Sequence, residues 1–210
     1  MRLPLPPVLV ITDRHQAKQT LEDVAAALFA GGCRWLSVRE KDLPGAERRA
    51  LLERLLARAK PCSATVTVHD DLEAAAALRI GIHLPAQASV PDARAQLGAA
   101  ALIGLSAHDE HEVAAAAGAD YVTLSPIFLS ASKPGYGPAL GLPALRGPWR
   151  LPVLALGGIE AGNAALCIEA GAAGVAVMGE AMRAPDPRRF MADLLARLPP
   201  ALAAALPPPS

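Results

Sequence analysis

The chain has 210 residues, 52% of them apolar and 19% charged, and its 20 basic and 20 acidic side chains cancel. That balance lacks the long-range positive field of a nucleic-acid binder and the polybasic patch of a membrane-surface protein, so any anion site must be built locally. The 20 prolines and 17 glycines stay below the roughly 25–30% at which a low-complexity chain becomes the better reading, and the length favours one domain with one core.

Apolar, β-branched runs recur along the chain and read as strands, with helical spacing between them. The first, 8–12, delivers Thr12, Asp13 and Arg14; Leu21, Val24, Ala25, Leu28 and Phe29 then fall on one helix face. The second, 35–38, ends in Arg39-Glu40-Lys41, and Leu51, Leu52, Leu55 and Leu56 mark the next helix. The third, 64–68, ends in His69-Asp70-Asp71; the fourth, 80–84, carries His83 and meets Pro85; the fifth, 101–105, leads to Ser106 and His108. The sixth, 121–124, opens into a Gly/Pro-rich loop bearing Ser130, Ser132 and Lys133. The seventh, 153–156, ends in Gly157-Gly158, with Leu166, Ile168 and Ala170 at helical spacing behind it, and the eighth, 174–178, reaches Met178-Gly179 before a short helix. An Ala-Gly joint recurs at Gly31, Gly118 and Gly171, where glycine is expected to end a helix in the left-handed conformation.

Buried strands separated by helices must run parallel with right-handed crossovers, so the fold class is α/β and the architecture a single (β/α)8 barrel of eight parallel strands with surrounding helices. The competing open, doubly wound sheet lacks a GxGxxG after the first strand. The barrel is expected over 1–198, with 199–210 a frayed Pro-rich tail. Cys33, Cys62 and Cys167 are odd in number and lack metal spacing. No apolar run spans a membrane and no secretory leader is recognisable, so the expected location is cytoplasmic, with free thiols.

In such a barrel the chemistry lies at the carboxyl ends of the strands. Gly157 and Gly158 allow close backbone approach, and the helix after Met178-Gly179 offers free N–H groups, which together suit a phosphate. Arg39 and Lys41 project from one side of an extended segment, with Glu40 turned away, and suit a second anion such as a pyrophosphate. Asp70 is a candidate ligand for Mg²⁺, and Asp71 a helix N-cap. His69, His83 and His108 are each either acid/base groups or structural, hydrogen-bonded histidines. Ser130, Ser132 and Lys133 belong to a loop with the composition of a lid.

These strand ends, from Val10-Ile-Thr-Asp13, Val38-Arg-Glu-Lys41, His69-Asp-Asp71 and Gly81-Ile-His-Leu84 through Gly104-Leu-Ser-Ala-His108, Ser125-Pro-Ile-Phe128 and Leu156-Gly-Gly-Ile159, resemble the thiamine phosphate synthase and TenI family in order and over nearly the whole chain. The resemblance implies a transferase of thiamine biosynthesis that condenses hydroxymethylpyrimidine pyrophosphate with thiazole phosphate and releases pyrophosphate. It implies that Arg39, Lys41 and Lys133 hold the pyrophosphate, Asp70 binds Mg²⁺, Ser106 lies near the pyrimidine, and Gly158 with Met178-Gly179 holds the thiazole phosphate. His69, Ser130, Ser132 and Gly157 complete the expected substrate contacts.

The chain departs from the family pattern at Ser37, where glutamine is usual, at His69, where asparagine is usual, and over 83–90, which lacks the second metal carboxylate. Two further readings follow from the same resemblance. One is a TenI-like thiazole phosphate tautomerase, although Pro126 stands where that branch places its histidine and the base would have to be His69 or His108. The other is a non-catalytic thiazole-phosphate binder or regulator. All three take small phosphorylated partners rather than nucleic acid or membrane, and an oligomer is compatible with each.

Overall fold

The structure, a computed structural model, describes residues 3–130 and 137–203. Its strands are β1 (Val8–Ile11), β2 (Trp35–Val38), β3 (Thr65–His69), β4 (Gly81–Leu84), β5 (Ile103–Ala107), β6 (Tyr121–Leu124), β7 (Val153–Leu156) and β8 (Gly174–Val177). They pair in sequence order, every pair parallel, and β8 returns to β1 to close the barrel. The helices are α1 (Leu21–Ala30), α2 (Gly45–Ala59), α3 (Leu72–Leu78), α4 (Val90–Leu97), α5 (Glu110–Ala115), α6 (Ala164–Glu169), α7 (Gly179–Arg183), α8 (Pro187–Ala196) and α9 (Pro200–Ala203). Between β6 and β7 the described residues form only a 3-10 turn at Leu142–Arg146, in a stretch punctuated by Pro138, Pro143, Pro148 and Pro152. The (β/α)8 barrel expected from the sequence is the fold. Of the expected tail, 200–203 is helical and 204–210 lies outside the described residues.

Two apolar layers hold the barrel together. Outward-facing strand residues such as Val8, Leu36, Val68, Ile82, Val122 and Val175 pack under the helices with Leu28, Leu52, Leu55 and Met191. Inside, alternate strand positions send Leu9, Trp35, Tyr121, Leu154 and Ala176 to the barrel axis, where the Trp35 and Tyr121 rings meet edge to face at 4.7 Å. This plug fills the amino-terminal half of the barrel and leaves the carboxyl-terminal half open. Gly104 is part of that packing, because a Cβ there would lie 2.1 Å from Tyr121 Cζ.

Local departures from the expected pattern have identifiable causes. Strand β5 begins at Ile103 rather than 101, since the Arg94 guanidinium takes the carbonyls of Ala99 and Ala101 into a turn and Asp120 accepts from the Ile103 N–H at 2.8 Å. The strand also runs on to Ala107, so Ser106 lies within it. Leu166, placed on the buried face by spacing, is 45% exposed, and α6 buries Ala164 and Cys167 instead. At the first Ala-Gly joint the positive φ falls on Gly32 (103°), while Gly31 stays right-handed at −82°; Gly118 and Gly171 adopt it as expected.

Candidate active site

Above the Trp35–Tyr121 plug lies a layer of buried polar side chains, Thr67, His83 and Thr123. His83 is wedged among three hydroxyls, with Nδ1 3.1 Å from Tyr121 Oη and Nε2 3.0 Å from Ser106 Oγ and 3.4 Å from Thr123 Oγ1. Burial pushes its pKa down to about 3, with the Lys41 and Arg39 cations adding to the shift. The imidazole is neutral at physiological pH, so whichever nitrogen lacks the proton accepts from its hydroxyl neighbour. Of the two readings left open for His83, the structural, hydrogen-bonded one fits. His69 stacks on it with ring centroids 5.3 Å apart. Ser37, in the same interior, has its Oγ buried without a hydrogen-bond partner among the described residues.

This layer is the floor of a cavity of about 410 Å³ at the carboxyl ends of the strands. Arg39, Lys41, His69, Ser106, Ser130, Gly157, Gly158, Met178 and Gly179 all line it, so the structure brings together most of the residues singled out from the sequence. Ser132 and Lys133 lie outside the described residues. Asp70 stands at the end of β3 next to the lining residue His69 but is not itself part of the wall.

Among the described residues neither Arg39 nor Lys41 enters an ion pair. Glu40, between them, is buried, with Oε1 accepting from the Thr12 hydroxyl at 2.7 Å and Oε2 accepting from Arg14 Nη1 at 3.1 Å. The acid of the tripeptide is thus not solvated but committed below, while both cations line the cavity.

The two aspartates after β3 divide as their positions suggest. Asp71 Oδ1 accepts from Ala74 N at 2.9 Å and caps α3, and its Oδ2 pairs with Arg48 at 2.6 Å. Asp70 is exposed in the left-handed region at φ 56°, and among the described residues its carboxylate takes no hydrogen bond. No group of three or more His, Cys, Asp or Glu among the described residues could enclose a metal ion.

The opposite wall is formed by the ends of β6, β7 and β8. Gly157 and Gly158 have φ 94° and 62°, and a Cβ on Gly158 would lie 2.5 Å from the Leu129 carbonyl oxygen. The pair thus also lets the loop after β6 close against the turn after β7, a packing role beside the backbone approach inferred from sequence. Asn163 fixes the turn, donating from Nδ2 to Gly158 O at 2.8 Å and accepting from Glu160 N at 2.9 Å. His108 Nδ1 sits 3.0 Å from Ser125 O, and since a carbonyl only accepts, that nitrogen carries the proton. Glu160, Glu180 and Arg183 also line the cavity. Sequence reading missed them because they lie within or beyond the turns after β7 and β8, where strand-end position gives no signal. Arg183 pairs with Glu180 at 2.7 Å and donates to Gln16 Oε1, tying α7 to the segment after β1.

A family model described as "Thiamine monophosphate synthase" matches residues 8–181. A Geobacter sulfurreducens protein provisionally named thiamine-phosphate synthase is 42% identical over 205 residues, 91% of this chain and 93% of its own. A Roseiflexus castenholzii protein named thiamine-phosphate synthase is 37% identical over 202 residues, 90% of this chain and 88% of its own. Among solved structures, thiamine phosphate pyrophosphorylase from Pyrococcus furiosus superposes with a TM-score of 0.81 at 26% identity, covering 90% of this chain and 94% of that one.

Proposed function

The chain belongs to the thiamine monophosphate synthase family, and we propose that it is the transferase of thiamine biosynthesis that joins hydroxymethylpyrimidine pyrophosphate to thiazole phosphate. The observation that carries this reading is the pair of cations, Arg39 and Lys41, without ion-pair partners among the described residues and sharing one cavity with Ser106, Gly157-Gly158 and Met178-Gly179. One wall suits a pyrophosphate and the other a phosphate, so two anionic substrates can be held with their reactive ends over the same floor.

In this reading the pyrophosphate lies against Arg39 and Lys41, and the family resemblance assigns Lys133, outside the described residues, to the same anion. The pyrimidine rests over His69 and Ser106, and the thiazole phosphate against Gly157, Gly158, Met178 and Gly179, with Ser130 at its edge. The bond between the pyrimidine methylene carbon and the pyrophosphate oxygen breaks, and its electron pair leaves with pyrophosphate. The thiazole nitrogen lone pair then forms the new carbon–nitrogen bond. Negative charge grows on the departing group, so cations aimed at that oxygen favour the transition state over the ground state.

Magnesium fits this chain through a single protein carboxylate. Asp70 would hold it, Asp71 being committed to Ala74 and Arg48, and Mg²⁺ is commonly bound by one or two carboxylates with substrate phosphates and water completing its shell. When bound, the ion supplies further positive charge against the pyrophosphate. Among the described residues no helix is long and apolar enough to cross a membrane.

The test is direct. The purified protein is mixed with hydroxymethylpyrimidine pyrophosphate and thiazole phosphate, with Mg²⁺ or with EDTA, and thiamine phosphate is read by fluorescence after oxidation. Product that forms only with Mg²⁺ is the expected result. Binding of thiazole phosphate without product under either condition would replace the transferase with a tautomerase or a binder, and His69 and His108 would be the residues to change next.

A further inference from the structure

We infer that Thr12 and Glu40 are positioning residues that aim Arg39 and Lys41 at the pyrophosphate, an inference that rests on the reading of that cation pair given above. Beyond Val38 the chain leaves the β2 ladder, and the segment carrying both cations has no strand pairing to hold it. It is held instead by side chains from the end of β1. Thr12 Oγ1 accepts from the Arg39 N–H at 3.0 Å while the same hydroxyl donates to Glu40 Oε1 at 2.7 Å. The other carboxylate oxygen of Glu40 accepts from Arg14 N at 3.2 Å and Arg14 Nη1 at 3.1 Å, and the Arg14 guanidinium reaches on to Asp42. The Arg39 backbone and both flanks of Lys41 are thereby fastened to the segment that follows β1.

Charge gives the arrangement a second consequence. A glutamate between two cations would neutralise them if it turned into the cavity. Here its carboxylate is 1% exposed and its acceptor capacity is taken by Thr12 and Arg14. A carboxylate so buried is held in place by the cost of leaving it unpaired. Glu40 consequently pairs with neither Arg39 nor Lys41, and their backbone starts from a fixed place, which lowers the entropy lost when the anion binds.

A merely structural lattice would affect folding and both substrates alike, and the experiment separates the two. Inorganic pyrophosphate binding is measured by calorimetry, and KM is measured for each substrate, on the full chain and on Thr12→Val, Thr12→Ser, Glu40→Gln and Arg39→Ala, each with its melting temperature. Thr12→Val keeps the shape and loses the hydroxyl, whereas Thr12→Ser keeps the hydroxyl. Thr12→Val is expected to weaken pyrophosphate binding about tenfold, equal to about 1.4 kcal/mol, and to raise KM for the pyrimidine pyrophosphate in step. KM for thiazole phosphate should stay unchanged, and Thr12→Ser should restore binding. Glu40→Gln should repeat the Thr12→Val pattern where it folds, and the Thr12 pair decides where it does not. Normal pyrophosphate binding in Thr12→Val, or an equal loss for both substrates, overturns the inference. Normal pyrophosphate binding in Arg39→Ala overturns the reading of the cation pair, and the inference with it.

Discussion

His83 Nε2 lies 3.0 Å from Ser106 Oγ. The contact joins a buried imidazole of the barrel interior to a hydroxyl of the cavity wall, and Tyr121 on the other side of the ring, 3.1 Å from Nδ1, keeps the imidazole from turning. Ser106 therefore presents its hydroxyl in an orientation set from below, through β4 and β6, before any substrate arrives.

The depressed pKa of His83 has a stability consequence. Its folded value is about 3 against an ordinary value of about 6.5. Between those values the unfolded chain takes up a proton that the native state refuses, so this contribution to stability is complete above about pH 6.5 and declines as pH falls toward 3. The slope reaches about 1.4 kcal/mol per pH unit. Unfolding free energies of the wild type and His83→Gln between pH 6.5 and 4 should diverge in slope, the variant being the flatter. Parallel slopes would mean that His83 is not buried as described.

Tyr121→Phe removes the hydroxyl facing His83 Nδ1 and nothing of the ring's packing against Trp35. One buried polar group loses its partner, which costs roughly 1–3 kcal/mol. Activity should fall as well, because an imidazole free to turn no longer orients Ser106. Chemical denaturation with steady-state rates measures both effects, and a variant as stable and as active as the wild type would remove Tyr121 from this account.

Asp70 and Asp71 are adjacent in sequence and opposite in expected effect. Asp71→Ala deletes the cap of α3 and the partner of Arg48, and should lower stability by about 1–2 kcal/mol while activity at saturating substrate survives. Asp70→Asn keeps a residue tolerant of the left-handed backbone at φ 56° and should leave the melting temperature in place. Its turnover should fall strongly and require more Mg²⁺. A Mg²⁺ titration of both variants checks the pair, and equal Mg²⁺ requirements would end the metal assignment to Asp70.

The barrel was legible in the sequence because its strands are short, largely apolar runs bounded by helices with distinct spacing, so even the end of β2 before Arg39 could be placed to the residue. Where side chains from distant segments capture the backbone, local pattern fails: Arg94 and Asp120 delay the start of β5, and no periodicity around Ala101 reveals them. The site was legible to the extent that it consists of strand ends. The commitment of Glu40 to Thr12 and Arg14 depends on the pairing of β1 with β2, and the place of Arg183 in the wall on the closure of β8 onto β1, neither of which a one-dimensional reading carries.

Gly158 shows why a binding assay alone would mislead at the phosphate wall. Its φ of 62° already disfavours a side chain, and an added Cβ would meet Leu129 O at 2.5 Å and Phe128 Cβ at 2.8 Å. The left-handed backbone alone costs a non-glycine residue roughly 1–2 kcal/mol, and relief of the clash must move the loop after β6, which carries Ser130 into the same cavity. Gly158→Ala should therefore lose thiazole phosphate affinity and melting temperature together. Arg39→Ala, by contrast, removes a partly exposed side chain with no ion-pair partner among the described residues, and should lose pyrophosphate binding at unchanged melting temperature. If Gly158→Ala lost affinity with its melting temperature intact, the glycine would act on the ligand directly, and its packing against Leu129 would be incidental.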